Sequence, residues 1–429
     1  MSSPTESTTP VGATPGPEGN HRLRPWSGRS GRWWLIVGLV LGFAALSVLR
    51  VVTGADDLTS SGTIRATLIA LSPIMLAGLG GLWAERAGVV NIGLEGMMIL
   101  GTYGAGYFGY TYGAWAGVIG AIALGMIGGL IHATATVVFG VDHIISGVAI
   151  NIIALGAVQY LASLTFVGLP GAGATQSPKI PSLPTITIGP LSDGLGDLED
   201  QDLFLVSDVA SLLRAFCTNL SVLVLIGLAL LVLSYFLLWR TAFGLRLRSC
   251  GESPSAAESL GVAVMRYKFG AVLISGGFAG LAGGVLAMVA SSNYRDGQTG
   301  GRGYIGLAAM LFGNWRPGGL LMGSGLFGYT ETLGLRQGGT SVRALLLAVA
   351  VLAVVGGVVL ILRRKTVGGA ITVGIGVLVA AVYFLIDEVP GDFVTMAPYV
   401  TTLLVLAFAS QRLRMPAADG QVYRKGSAG

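Results

Sequence analysis

Residues 85–96 read ERAGVVNIGLEG, and they interrupt two long apolar runs, one ending at Trp83 and the next continuing to Tyr110. A short polar, glycine-rich break between runs long enough to cross a bilayer puts Asn91 and Glu95 at or just inside hydrocarbon. An ionisable group there costs several kcal/mol unless it finds a partner or faces water. The site is therefore a candidate for function on energetic grounds.

The rest of the chain fits that setting. Hydrophobic residues make up 53% of 429 and charged ones 11%, against about a quarter charged in soluble domains. Mean hydropathy is +0.74. This is the composition of an all-α, polytopic membrane protein. The 68 glycines argue for close helix packing, because small residues let backbones approach where no hydrophobic drive acts between helices. The net charge of +5 sits in short loops between apolar runs, a topological signal and no footprint for nucleic acid. The lysines are Lys179, Lys268, Lys365 and Lys425. None follows a glycine, so there is no Walker A motif, and any ATP must be bound by another subunit. Cys217 and Cys250 flank one apolar run and cannot pair. His21, His132 and His143 have no metal-ligand spacing. No nucleophile elbow, metal-binding helix or phosphate loop supports an enzyme, and no cofactor is implied.

Residues 1–31 form a polar tail holding Arg22, Arg24 and Arg29, with Arg32 just past it, read as disordered and cytoplasmic. Spans of roughly 20 residues are expected at 33–52, 64–83, 90–110, 114–139, 143–168, 217–239, 267–290, 304–315, 318–335, 343–362, 367–386 and 394–411. The 304–315 run is short enough to be a half-span. Alternation places Arg240, Arg246, Arg248, Arg266, Arg316 and the cluster Arg363–Lys365 inside, with the acidic stretch Asp193 to Asp208 outside, as the positive-inside rule requires. Both termini come out cytoplasmic in the plasma membrane. The domain limits are a tail at 1–31, a membrane domain at 32–415 and a second cytoplasmic tail at 416–429. The long outer loop 169–215 carries five prolines and then acid. It is read as extended before an amphipathic piece near 203–214, either a solvated face or a docking surface.

A second informative stretch, SCGESPSAAESLGVAVMRYK at 249–268, falls in the longest interior loop. Ser253 suits an N-cap and Pro254 the first helical position. Ser255 and Glu258 have capping-box spacing, Ala256 and Ala257 favour helix, and Gly261 fits a left-handed stop. A helix of about two turns over 253–261 is expected outside the membrane. It is either a surface turn or a contact for a soluble motor.

Gly276, Gly280 and Gly284 form a small-residue seam. Asn151 and Gln159 lie about 80° apart on their helix, facing a pore or holding an interhelical bond. Glu331 is expected to pair with Arg336. Glu85 and Arg86 are expected at the cytoplasmic surface, where charge is cheap. Asn91 and Glu95, about one turn apart, can share a seam; Glu95 lines a pathway or only bonds neighbouring backbone.

Together ERAGVVNIGLEG, VDHIISGVAINIIALG (141–156), GESPSAAESLGV, GYIGLAAMLFGNWRP (303–317) and MAPYVTTLLVLA (396–407) resemble the permease subunits of ABC importers. The closest branch is that for nucleosides and simple sugars, within the branched-chain amino acid and ribose-type permeases. The resemblance covers roughly 60–335 and 394–425. It implies a bundle of about ten core helices, distantly like the vitamin B12-type importers. It also implies a second permease subunit, the same or different, a cytoplasmic ATP-binding subunit and an extracellular substrate-binding lipoprotein. The coupling role maps onto Ser253, Pro254, Ala256, Ala257, Glu258 and Gly261. The pathway maps onto Asn91, Glu95, Asn151 and Gln159. Residues 343–386 depart from the family as an inserted hairpin. The rival class is an ion-gradient-driven secondary transporter centred on Glu95 and Glu331.

Overall fold

The computed structural model describes residues 30–386, 389, 396, 413–424 and 426, with backbone alone at 30–39 and 337–340. The expected span 394–411 and most of the N-terminal tail lie outside the described residues. The chain divides into two units, Met1–Ala45 and Leu46–Gly429.

With no water available in hydrocarbon, a segment must satisfy its own backbone groups, and the helix does this within one segment. The described residues are accordingly helical. In chain order they form α1 (Ser30–Thr53), α2 (Ser61–Arg86), α3 (Leu94–Tyr112), α4 (Ala114–Ala133) and α5 (His143–Thr165). Then come α6 (Gly189–Glu199), α7 (Val206–Cys217), α8 (Val222–Arg240), α9 (Ala242–Glu252), α10 (Pro254–Ser259) and α11 (Val264–Val285). α12 (Arg302–Phe312), α13 (Pro317–Leu362) and α14 (Thr366–Leu385) complete the set. Wider π turns extend α4 over Thr134–Val138 and α11 over Leu286–Ala290. The strands are β1 (Thr185–Ile186) and β2 (Leu220–Ser221), an antiparallel pair that closes the long loop at its base. Seven of these helical stretches are long and apolar enough to cross a membrane, and the all-α, multi-pass architecture stands.

α2 and α11 are the central pair. Of their most apolar windows 78% is buried, against 11% for residues 341–362 and for α14. The seam read at Gly276, Gly280 and Gly284 is internal. A β-carbon on Gly280 would lie 2.2 Å from the Ala121 carbonyl of α4. One on Gly101 of α3 would lie 2.2 Å from the Gly280 carbonyl. Three helices thus meet backbone against backbone.

Four expectations change. Residues 318–335 and 343–362 are one helix, not two spans with an outer loop. The dividing stretch holds glycines but no proline, so each N–H can still bond back one turn. At ~1.5 Å per residue the 46 residues of α13 run for about 69 Å. Arg316 and Arg363 therefore flank opposite ends of one helix. α14 returns along residues 341–362, with Gly369 against Gly357 at their closest approach. The outer loop is not simply extended: α6 and α7 pack together, and α7 buries Ser207, Asp208 and Ser211 while exposing Val209, Leu213 and Phe216. Glu331 pairs with Arg302 across to α12, not with Arg336. The coupling loop holds an additional helix, α9, ahead of α10.

Gly280→Val should overpack the seam by about 1–3 kcal/mol and lower the thermal unfolding midpoint in detergent. Gly270→Ala on the same helix, with nothing within 4 Å of the added carbon, should leave it unchanged.

Candidate functional site

α2 ends at Arg86, but α3 does not begin at that level. Between them residues 87–93 run back into the bundle as irregular backbone, with turns at 87–88 and 92–93. Asn91 donates to the Ser275 hydroxyl at 2.9 Å, and Ser275 lies well inside α11, which starts at Val264. α12 also starts inside the bundle. Its Gly303 abuts Glu95 and its Gly306 abuts Ile74 and Gly78, near the middle of α2. The short 304–315 run is thus a half-length helix, as its sequence implies.

Irregular backbone at this depth is tolerated only where protein satisfies it. Side chains from three helices do so. Lys268 donates to the Gly88 carbonyl at 3.1 Å. His143 Nδ1 accepts from the Val90 N–H at 3.3 Å. His132 Nε2 lies 3.0 Å from the Val90 carbonyl and its Nδ1 lies 2.9 Å from the Ser146 hydroxyl. A carbonyl only accepts, which fixes Nε2 of His132 as the protonated nitrogen. Asn91 turns its own carbonyl onto the Gly93 N–H at 3.1 Å.

Two helix starts face each other here, each with orphan N–H groups. Asn151 of α5 accepts from Gly96 at 2.7 Å and caps α3. Its amide donates to the Ile92 carbonyl at 3.0 Å and to the Tyr304 hydroxyl at 2.8 Å. Glu95 caps α12: its two oxygens accept from the N–H groups of Gly301 at 2.9 Å and Gly303 at 2.7 Å. A carboxylate at a helix N-terminus is favoured by charge-assisted bonds and by the helix dipole.

Beside these caps opens a cavity of about 410 Å³, lined by Glu95, Asn151, Tyr304 and the 294–301 loop, with Val148, Ile152 and Leu155 of α5 as its apolar wall. The volume suits a small organic molecule. The four residues read as a pathway separate. Glu95 and Asn151 line the cavity. Asn91 is fully buried beneath it and precedes α3, so the helical phase expected to align it with Glu95 does not apply. Gln159 is exposed, and at the mouth it donates to Asp296 at 3.0 Å. Glu95 bonds backbone, but the backbone of another element, while still lining the space.

Comparison with known proteins identifies the family. A family model described as the branched-chain amino acid transport system / permease component matches residues 63–362. The chain belongs to that family. It is a multi-pass transport permease, not an enzyme. A guanosine ABC transporter permease protein of Bacillus subtilis is 34% identical, covering 85% of this chain and 96% of the relative. A nucleoside ABC transporter permease protein of Lactococcus lactis is 30% identical, covering 83% and 95%. A putative glucose ABC transporter permease protein of Haloferax volcanii is 31% identical, covering 85% and 98%. No solved structure matches.

The permease's other distinctive region lies at the end carrying α10. Pro254 opens the helix after Ser253, and Gly261 adopts φ +80° as read from the sequence. The capping box does not form. Glu258 turns to the C-terminal strap instead, accepting from the Tyr423 hydroxyl. Ala257 is buried against Cys250 and Val264, while Ser255, Ala256, Ser259 and Leu260 are exposed, Leu260 at 84%. Glu85 is not at a cheap surface. It is 3% exposed and accepts from the Trp315 indole at 2.6 Å. Arg86 donates to the Trp315 carbonyl at 2.8 Å. These clasps hold Asn314 and Trp315 at φ +54° and +52°, a conformation that costs on the order of 1–3 kcal/mol each for residues with a β-carbon.

The strap, residues 413–424, has no signature in the sequence beyond its polarity. Ala418 donates to the Gly251 carbonyl at 2.8 Å, and Asp419 is buried beside Glu85, Lys268 and Arg86. Sequence reading also missed the 291–301 loop. Its signal was there: Asn293, Tyr294, Arg295, Asp296 and Gln298 just ahead of a half-length apolar run.

Glu95→Ala should leave two buried N–H groups unpaired and destabilise the bundle by about 2–5 kcal/mol. Glu95→Gln, which replaces one acceptor with a donor, should cost less, both read as thermal shifts. Burial pushes the Asp419 carboxyl up to about 7, against ~3.9 for an ordinary aspartate. Docking is therefore favoured at acid pH, and that advantage is lost as pH rises through about 7. Hydrogen exchange over 413–424 should quicken across that range, and Asp419→Asn should flatten the dependence.

Proposed function

We propose that this permease forms half of the translocation pathway of an ATP-driven importer for nucleosides or related simple sugars. The observation that carries the reading is the mid-bundle cavity where α3 and α12 both begin. Helix starts inside a membrane bundle are where transporters bind their cargo. The relatives named for guanosine, nucleoside and glucose transport support that substrate range.

In this reading the α10 end faces the cytoplasm and both termini lie there. The exposed face of α10, led by Leu260, docks a separate ATP-binding subunit, with Ser253, Pro254, Ala256, Ala257, Glu258 and Gly261 shaping that helix. ATP-driven movement of α10 passes through Gly251 and the 87–93 segment to Glu95. A second permease completes the pathway against the exposed wall of α5, and an extracellular binding lipoprotein delivers substrate at the opposite end. Residues 341–362 with α14 are an addition outside this core. An ion-driven mechanism finds less support, since Glu95 has both oxygens on backbone N–H groups and Glu331 is paired with Arg302.

Leu260→Asp alters an exposed side chain and should leave the permease folded. The ATP-binding subunit should no longer co-purify, and ATP-dependent uptake of labelled guanosine should fall at least tenfold, corresponding to ~1.4 kcal/mol of lost coupling. Wild-type uptake by this variant would overturn the coupling role.

A further inference from the structure

We infer that the 293–299 loop is a binding site for a neutral, hydroxyl-bearing ring, with Tyr294 and Gln298 as hydrogen-bond donors to it and Asp296 as an acceptor. The inference rests on the pathway reading above and names what the cavity recognises.

The evidence is a set of unused polar groups. Buried hydroxyl and amide groups are almost always paired, yet two on residues that line this cavity are not. Tyr294 is 1% exposed, and its hydroxyl has no partner. Its main chain is fixed by Ser177, whose backbone N–H donates to the Tyr294 carbonyl at 3.0 Å and whose hydroxyl accepts from the Tyr294 N–H at 2.9 Å. Gln298 uses its side-chain oxygen, accepting from the Arg295 N–H at 3.1 Å, and so leaves its amide donor unpaired and buried. Leaving such donors buried and unpaired costs about 1–3 kcal/mol each, a cost that a bound acceptor removes.

The neighbours define the ligand. Asp296 lines the same space and is oriented by Gln159 at 3.0 Å, so its carboxylate can accept from a hydroxyl. Tyr294 packs against Phe166 and Tyr103 at ring-centroid distances of 5.8 and 6.2 Å, an aromatic wall that stops the donor from swinging aside. The ionisable groups in the lining are Glu95, Arg295, Asp296 and two tyrosines. With Glu95 engaged by α12, no excess of positive charge is left to hold a phosphate. Donors, one acceptor and an apolar wall match the sugar face of a nucleoside or a free hexose better than a nucleotide.

The test uses the assembled transporter, with tritiated guanosine followed both as equilibrium binding to the purified complex and as ATP-driven uptake in proteoliposomes. Tyr294→Phe removes a single oxygen, and Gln298→Met removes the amide at similar length. Each should weaken binding about three- to tenfold, the range of one hydrogen bond. Guanosine analogues lacking single oxygens supply the second arm. For at least one analogue the difference between wild type and Tyr294→Phe should vanish, because the partner of the hydroxyl has been removed from the ligand. Equal weakening towards every analogue would mean that the hydroxyl acts only on folding, and would overturn the site. Unchanged binding by both variants would also overturn it, while leaving transport intact. A complex that binds guanosine with these variant effects but moves none with ATP would overturn the transport reading and uphold the site.

Discussion

The structure turns on how a stretch of irregular, non-helical backbone is accommodated inside a helical bundle. Residues 87–93 leave peptide groups where no water can serve them, and each unsatisfied group costs several kcal/mol. Lys268, His132, His143, Asn91 and Asn151 take up those groups one by one. Asn151 and Glu95 then close the two helix starts that the break creates. The polar residues of this core are thus mainly a scaffold. They hold open a junction of α3, α5 and α12 that apolar residues alone would fill.

That scaffold also joins two regions. Gly88 lies against Gly251 of α9 and is held by Lys268, and five residues on, Gly93 precedes α3. The strap packs on the same turn through Ala418 and Asp419. Trp315, at the α12–α13 junction, is clasped by Glu85 and Arg86 of α2. A chain of contacts therefore runs from α9 and α10 to both ends of α12, to its cap at Glu95 and to its base at Trp315. A rigid half-length helix gripped at two points is well suited to tilt as a unit.

The sequence made legible what depends on local pattern. Apolar run length marked most of the helices among the described residues, and even the shortness of α12. Pro254 and Gly261 gave the ends of α10. The cost of a carboxylate in hydrocarbon singled out Glu95 before any partner was known. What it hid depends on distant contacts. Helical phase could not foresee that Asn91 stands outside α3, nor that Glu331 reaches Arg302 and not a residue five positions on. The capping box at Ser255 and Glu258 is a valid local option. It loses to Tyr423, a partner 165 residues away. The continuity of α13 was hidden because glycine permits a break without requiring one.

The glycine seam has a consequence for how this protein can vary. Where a large residue meets a small one, a change on one helix can be answered by an opposite change on the other. Gly276 faces Gly125 and Gly129, and Gly280 faces Gly125 and Gly101. Both sides already carry the smallest residue there is, so no second substitution can make room for the first. Each of these positions is locked individually, and the three helices that share the seam must keep their glycines together or separate.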